Sequence, residues 1–177
     1  MEAAYRPDVF WLERAIDSAL QSGPDVPVGA TLVAACDPAL SILQRRQAGL
    51  STPGGELSST LVAAGHNERE AAGDPTGHAE VLVLRRGASL LGTWRLNGTT
   101  LYSTLEPCAM CAEAAIQARV DRIVFGAYDP INGACGSAFN LFAQTRRGYP
   151  VPEVVGGILE ERCRDLLLSY FKKERRR

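Results

Sequence analysis

An α/β fold, one sheet of five strands with helices on both faces, is the architecture this sequence predicts. Three observations predict it. Short apolar runs of strand length alternate along the chain with longer stretches whose apolar residues recur at helical spacing. The chain has 177 residues, 46% hydrophobic and 22% charged, which suits one ordinary globular domain with a substantial core. Nothing approaches 18 consecutive apolar residues, so no membrane span is expected.

The elements follow in order. Phe10, Leu12, Ile16, Ala19 and Leu20 share a helical face, which predicts a first helix from about 7 to 22, stopped by Gly23-Pro24. Val28 to Ala35 reads as a buried strand and Leu61 to Ala64 as a second. Asp74-Pro75-Thr76-Gly77 is a turn signal that leads into a helix beginning at His78 and running to Leu91. Thr99 to Thr104 is the third strand. Pro107 then opens a helix from Cys108 to Ala118, a run rich in good helix formers. Arg122 to Phe125 makes the fourth strand. Beyond a loop and a short helical stretch near Ala138 to Phe142, Glu153 to Ile158 is expected as the fifth strand and Glu160 to about Lys173 as the closing helix. The segment Asp37 to Ser59, with Pro53-Gly54-Gly55 inside it, has little core-forming power. A single domain over 1–177 with a surface insertion at about 37–60 is therefore expected.

The chemistry concentrates in two motifs, His78-Ala79-Glu80 and Pro107-Cys108-Ala109-Met110-Cys111. Taken singly, each has bland readings. A His-Ala-Glu triplet occurs by chance, and a Cys-x-x-Cys is a redox pair, half a structural zinc site or two buried small side chains in other contexts. Together they provide three zinc ligands and one acid/base. A catalytic zinc takes three protein ligands and keeps a fourth position for water, whereas a structural zinc is closed by four, and no second Cys-x-x-Cys or His pair completes a closed site. Cys108 and Cys111 stand at i and i+3, on one face of a helix whose positive end favours thiolate. His78, Cys108 and Cys111 are thus the expected ligands of one zinc per chain, which ligand softness favours over other metals. Zinc lowers the pKa of bound water to roughly 7, and Glu80 is placed to move that water's proton to a ring nitrogen and a departing amine. This is the pattern of zinc-dependent deaminases of amino-substituted nucleobases.

Beyond the motifs the chain resembles the bacterial tRNA adenosine deaminases. The resemblance runs through Val26-Pro27-Val28-Gly29-Ala30, Gly65-His66-Asn67, Asp74 to Glu80, Thr100 to Cys111, Val124 to Asp129 and Gly133 to Ser137. It covers most of residues 7 to 174, and only the segment from about 37 to 60 falls outside it. The resemblance implies a three-layer α/β/α arrangement around a central mixed five-stranded sheet, the cytidine deaminase-like fold. It implies hydrolysis of the wobble adenosine of a tRNA anticodon stem-loop to inosine, by a homodimer with one zinc per subunit. His78, Cys108 and Cys111 match the family's zinc ligands and Glu80 its proton shuttle. Asn67 matches the asparagine that hydrogen-bonds the flipped-out base, Asp129 an acidic residue near the ribose, and Val28 and Ala30 positions at the base pocket. Read without the resemblance, Asn67 and Asp129 lie in turn-rich surroundings that need no ligand.

Charge sets a counterweight. The net charge of −1 lacks the basic surplus of most nucleic-acid binders. Basic residues do gather at the carboxyl end, where Tyr170, Phe171 and Lys172 offer stacking and phosphate contact; the family uses its last helix in this way. The other reading is a solvated tail with Tyr170 and Phe171 in the core. Arg45 and Arg46 in the insertion offer either a further RNA contact or a surface excursion without a role. Cys36, Cys135 and Cys163 are expected to pack as small hydrophobes in a reducing compartment. The amino terminus has no apolar leader run, so the cytoplasm is the expected location. Two rival functions remain open: a deaminase of a free nucleobase or nucleoside (cytosine, cytidine or guanine), which uses the same zinc, water and carboxylate, and a non-catalytic zinc-stabilised RNA-binding module.

Overall fold

The computed structural model of the protein describes residues 7–35, 59–143 and 150–175. Helix α1 (Pro7–Ala19) begins on proline, whose missing N–H costs nothing at that position, and buries Trp11, Leu12, Ala15 and Ile16. Strand β1 (Gly29–Ala35) follows, buried along its length up to Ala34, and pairs antiparallel with β2 (Ser59–His66), Gly29 opposite His66. A short helix α2 (Arg69–Ala72) and then α3 (Ala79–Leu91) lead to β3 (Thr99–Leu105). Helix α4 (Ala109–Gln117) crosses over to β4 (Arg122–Ala127). A 3₁₀ turn (Leu141–Ala143), strand β5 (Glu153–Val155) and helix α5 (Glu160–Glu174) complete the order.

The sheet order is β2-β1-β3-β4-β5. β1 runs antiparallel to both neighbours, while β3, β4 and β5 are mutually parallel, so the sheet is mixed. One face carries Leu32, Leu101 and Ile123 against Val83, Leu84 and Ala115 of α3 and α4. The other carries Val33, Tyr102 and Val124 against Trp11 and Leu12 of α1 and Cys163 of α5. Both faces are covered, as buried parallel strands require, and the result is the three-layer α/β/α arrangement. Gly29 marks how closely the layers approach: a Cβ there would run into the α1 backbone at Ala15 and Ala19.

The differences from expectation are local. The first helix ends at Ala19 rather than 22, because the Ser22 hydroxyl takes the Ala19 carbonyl at 2.8 Å and Gly23 turns left-handed at φ +60°. β2 extends beyond Leu61 to Ala64 at both ends, taking in Ser59 and Thr60 from the range expected for the insertion. The fifth strand stops at Val155, since Gly156 packs against the Phe125 ring and Gly157 turns the chain at φ +83°. The short helical stretch near Ala138 to Phe142 is the 3₁₀ turn, its first N–H groups at Phe142 and Ala143 held by Asn140 Oδ1. Cys36, Arg45, Arg46 and the insertion up to residue 58 lie outside the described residues.

Candidate metal centre and active site

The site forms at the carboxyl ends of β3 and β4, where the starts of α3 and α4 converge. His78 is the N-cap residue of α3, with extended backbone. The Asp74–Gly77 turn delivers it, locked by Asp74 Oδ1, which accepts both the backbone N–H and the hydroxyl of Thr76 at 2.8 Å. The imidazole makes no cap bond to its own helix; Asn67 Oδ1 accepts the Ala79 N–H instead, at 3.0 Å. Cys108 is the N-cap residue of α4 and Cys111 lies in its first turn. Pro107 therefore stands one residue further outside the helix than the spacing alone suggests.

Three donor atoms meet. His78 Nδ1 lies 3.7 Å from Cys108 Sγ and 3.5 Å from Cys111 Sγ, and the two sulfurs are 3.6 Å apart. Tetrahedral zinc with ordinary bond lengths needs sulfur–nitrogen edges of about 3.6 Å and sulfur–sulfur edges of about 3.8 Å. The triangle fits that ion, and among the described residues no fourth histidine, cysteine or carboxylate joins the group. The electrostatics agree. The Cys111 thiol beside it, helped by His78, pulls the Cys108 thiol down to about 4 against the cost of burial. Contact with Cys108, followed by the charge of Glu80, holds the His78 imidazole above its ordinary range. Cys111 is pushed up by the Cys108 thiolate and by burial, so the thiol pair shares one proton that a metal would displace.

Glu80 occupies the first turn of α3 and is 4% exposed. Burial pushes its carboxyl up, which suits a group that must both take and give a proton. Its Oε1 accepts the Ser103 hydroxyl at 3.3 Å.

A cavity of about 640 Å³ opens over this cluster. Val28, Asn67, His78, Glu80 and Cys108 form its inner part. With Oδ1 committed to the α3 start, Asn67 offers the cavity its amide NH₂. Asp129 and the segment to Asn132 make one wall, Asp129 Oδ1 accepting the Ile131 and Asn132 N–H groups at 2.9 and 3.0 Å. Tyr170 and Phe171 of α5 make another; the Tyr170 hydroxyl donates to the Pro24 carbonyl at 2.9 Å, and the two rings meet edge to face. Ile131, Tyr128 and Phe171 are exposed at the mouth, an apolar rim of the kind that marks a binding surface. Ala30 is buried within β1 opposite Ser103 and does not line the cavity, and Lys172 is exposed on α5 outside it. Of the other described cysteines, Cys135 is half-buried and Cys163 buried, and desolvation pushes Cys135 up to about 12 and Cys163 to about 11.

Two cavity residues, Ile131 and Asn132, carry no motif signal and sit in a turn-rich stretch. Ser103, which reaches the site through Glu80 without lining the cavity, reads by pattern only as one position of a strand. Glu106 had a signal that could have been used: a carboxylate directly after an apolar strand and directly before Pro107-Cys108.

Fold and cluster together define the class, a zinc-binding nucleobase deaminase domain: residues 56–127 match the cytidine and deoxycytidylate deaminase zinc-binding region. More of the chain aligns with individual relatives. It is 37% identical over 172 residues to a tRNA-specific adenosine deaminase of Bacillus subtilis (strain 168), covering 96% of this chain and 92% of that one. The chain belongs to the tRNA-specific adenosine deaminase family. A solved tRNA:A34 deaminase, from work on A-to-I editing at the wobble position of transfer RNA, superposes with a TM-score of 0.70 at 32% identity, over 89% of this chain and 99% of that one. A guanine deaminase from Nitrosomonas europaea shares the fold, with a TM-score of 0.66 at 21% identity over 96% of this chain and 86% of its own.

Proposed function

We propose that this chain hydrolytically deaminates adenosine to inosine at the wobble position of a tRNA anticodon, using one zinc held by His78, Cys108 and Cys111. The observation that carries the reading is the three-donor cluster beside a buried carboxylate, in a chain aligned along nearly its whole length with a tRNA-specific adenosine deaminase.

Bound zinc supplies Lewis acidity that lowers the pKa of a water to roughly 7. The rest falls to the chain. Glu80 takes one proton from the water and passes it to the purine ring nitrogen, then takes the second from the hydroxyl on the ring carbon and passes it to the amine, which leaves as ammonia. Its raised pKa suits a group that both accepts and releases protons. Asn67 donates its amide N–H to the base, Val28 packs against the ring, and Asp129 faces the ribose. Tyr170 and Phe171 bound the flipped nucleotide, with Lys172 reaching outward to phosphate, and Ala30 acts only through the β1 backbone beneath.

The same reading has the protein working in the cytoplasm as a homodimer. Support for pairing comes from the opposite side of the metal helices, where Trp94, Met110 and Ala114 line an apolar groove of about 460 Å³ between α3 and α4. No described helix is long and apolar enough to cross a membrane. We read residues 1–177 as one domain and the insertion at 37–60 as a surface excursion; deleting 39–57 should leave zinc content and turnover nearly whole.

An inosine assay on an anticodon stem-loop, run beside free adenosine, cytidine and guanine, tests the function. Turnover of the stem-loop alone supports it. Turnover of a free base or nucleoside alone would retain the zinc chemistry and move the substrate to the second reading, the one whose fold the guanine deaminase shares.

A further inference from the structure

We propose that Glu106 is a positioning residue that fastens the loop from Tyr128 to Ser137 so that this loop presents Asp129, Ile131 and Asn132 to the substrate. The proposal rests on the reading of the cavity as a substrate site.

Glu106 follows β3, is 2% exposed, and spends its whole carboxylate on one loop. Oε2 accepts the Asp129 N–H at 3.1 Å, and Oε1 accepts the N–H groups of Cys135 and Ser137 at 3.0 and 3.1 Å. A carboxylate taken out of water is costly unless donors replace its hydration, and here three backbone amides of one irregular segment do so. Those donors can converge only if the loop folds around the carboxylate. Gly133 packs directly on it, where any Cβ would collide with the Glu106 carboxyl group. The loop is also stitched to the metal-bearing segment: Ala134 N–H bonds the Pro107 carbonyl at 2.9 Å, and Gly133 bridges Cys108.

The geometry assigns the two oxygens different jobs. Oε1 holds the far part of the loop, whereas Oε2 holds Asp129, whose own carboxylate then organises Ile131 and Asn132 on the cavity wall. Glutamine at this position keeps one acceptor and turns the other into an NH₂ facing the Asp129 N–H, donor against donor. Substrate contact should suffer while the metal and Glu80 stay in place.

The experiment compares wild type, Glu106→Gln and Gly133→Ala for zinc content, steady-state kinetics on whichever amino-base substrate the wild type converts, and amide exchange across residues 128–137. Glu106→Gln should raise KM roughly ten- to hundredfold, the loss expected for a hydrogen bond to a charged group. Its kcat should stay within about threefold, because no contact made only in the transition state is removed. Zinc should remain at one per chain, and exchange at Asp129 should accelerate. Gly133→Ala disturbs the same packing with the carboxylate intact and should show the same split. An unchanged KM in both variants overturns the proposal. So does joint loss of zinc and activity in both, which makes Glu106 an element of the fold alone. The exchange readout uses no substrate, and a wild type inactive on the stem-loop contradicts the tRNA reading without touching the role of Glu106.

Discussion

Ser103, in the middle of β3, donates its hydroxyl to Glu80 Oε1 at 3.3 Å, so the strand beneath the metal cluster holds the buried carboxylate by one of its two oxygens. Glu80→Gln keeps the shape and removes the proton acceptor. Its kcat should fall by at least about a thousandfold with zinc still near one per chain. Ser103→Ala should cost no more than about tenfold in kcat, since it removes one neutral donor. Metal analysis beside turnover decides it, and loss of zinc in Glu80→Gln would overturn the assigned role.

Metal removal should expose a reactive sulfur. With Cys108 drawn down to about 4, chelator-treated protein should be alkylated there at neutral pH, and the rate should fall only as pH approaches 4. The zinc-loaded protein should resist. Cys163, buried and pushed up to about 11, should stay unmodified in both. Mass spectrometry of iodoacetamide-treated samples reads the order of modification; equal labelling with and without metal would contradict the ligand assignment.

Acid stability should depend on Asp8. Arg122 grips both its oxygens, at 2.6 and 3.0 Å, and the Tyr102 hydroxyl adds a bond at 2.9 Å. The Arg122 hydrogen bonds hold the Asp8 carboxyl below its usual range despite partial burial. Its stabilisation is therefore complete above the unfolded pKa, about 3.9, and is lost as pH falls through the lower folded value. Asp8→Asn should destabilise by about 1–3 kcal/mol at pH 7, with the gap to wild type closing below about pH 4. Urea melts across pH 2.5 to 7 test this, and a constant gap would refute it.

Lys172 should act through phosphate. In Lys172→Ala the RNA affinity should weaken, and the slope of log K against log salt should shrink by about 0.7, with zinc and stability unchanged. Titrations at several salt concentrations distinguish this from a solvated surface cation, which would leave the slope alone.

The apolar groove should be a subunit contact. Ala114→Glu places a charge in it and should convert a dimer to monomers in sedimentation velocity, with the metal retained. A wild type already monomeric at micromolar concentration would remove the homodimer from the reading.

Much of this architecture is legible in local sequence because its signals are local. The alternation of elements anticipates the sheet, and the i and i+3 spacing of Cys108 and Cys111 anticipates their meeting at one helix start. The four-residue helix α2 is invisible, since one turn carries no period; its N–H groups at Glu70 and Ala71 are held by Asp25, 45 and 46 positions away. Glu106 escapes for a related reason, its partners lying 23 to 31 residues further along the chain. The cap of α3 is also non-local: Asn67 reads as a turn residue, and only the fold shows that its oxygen serves the helix that His78 opens.

The bond from Tyr170 to Pro24 joins positions 146 apart, so one wall of the cavity comes from a segment synthesised after every other part of the site. All three zinc-binding candidates and Glu80 emerge long before it. During synthesis the protein should thus pass through a stage that can capture its ion while still unable to grip a nucleotide. Stalled nascent chains ending before and after α5 would display that order, metal first and RNA only later.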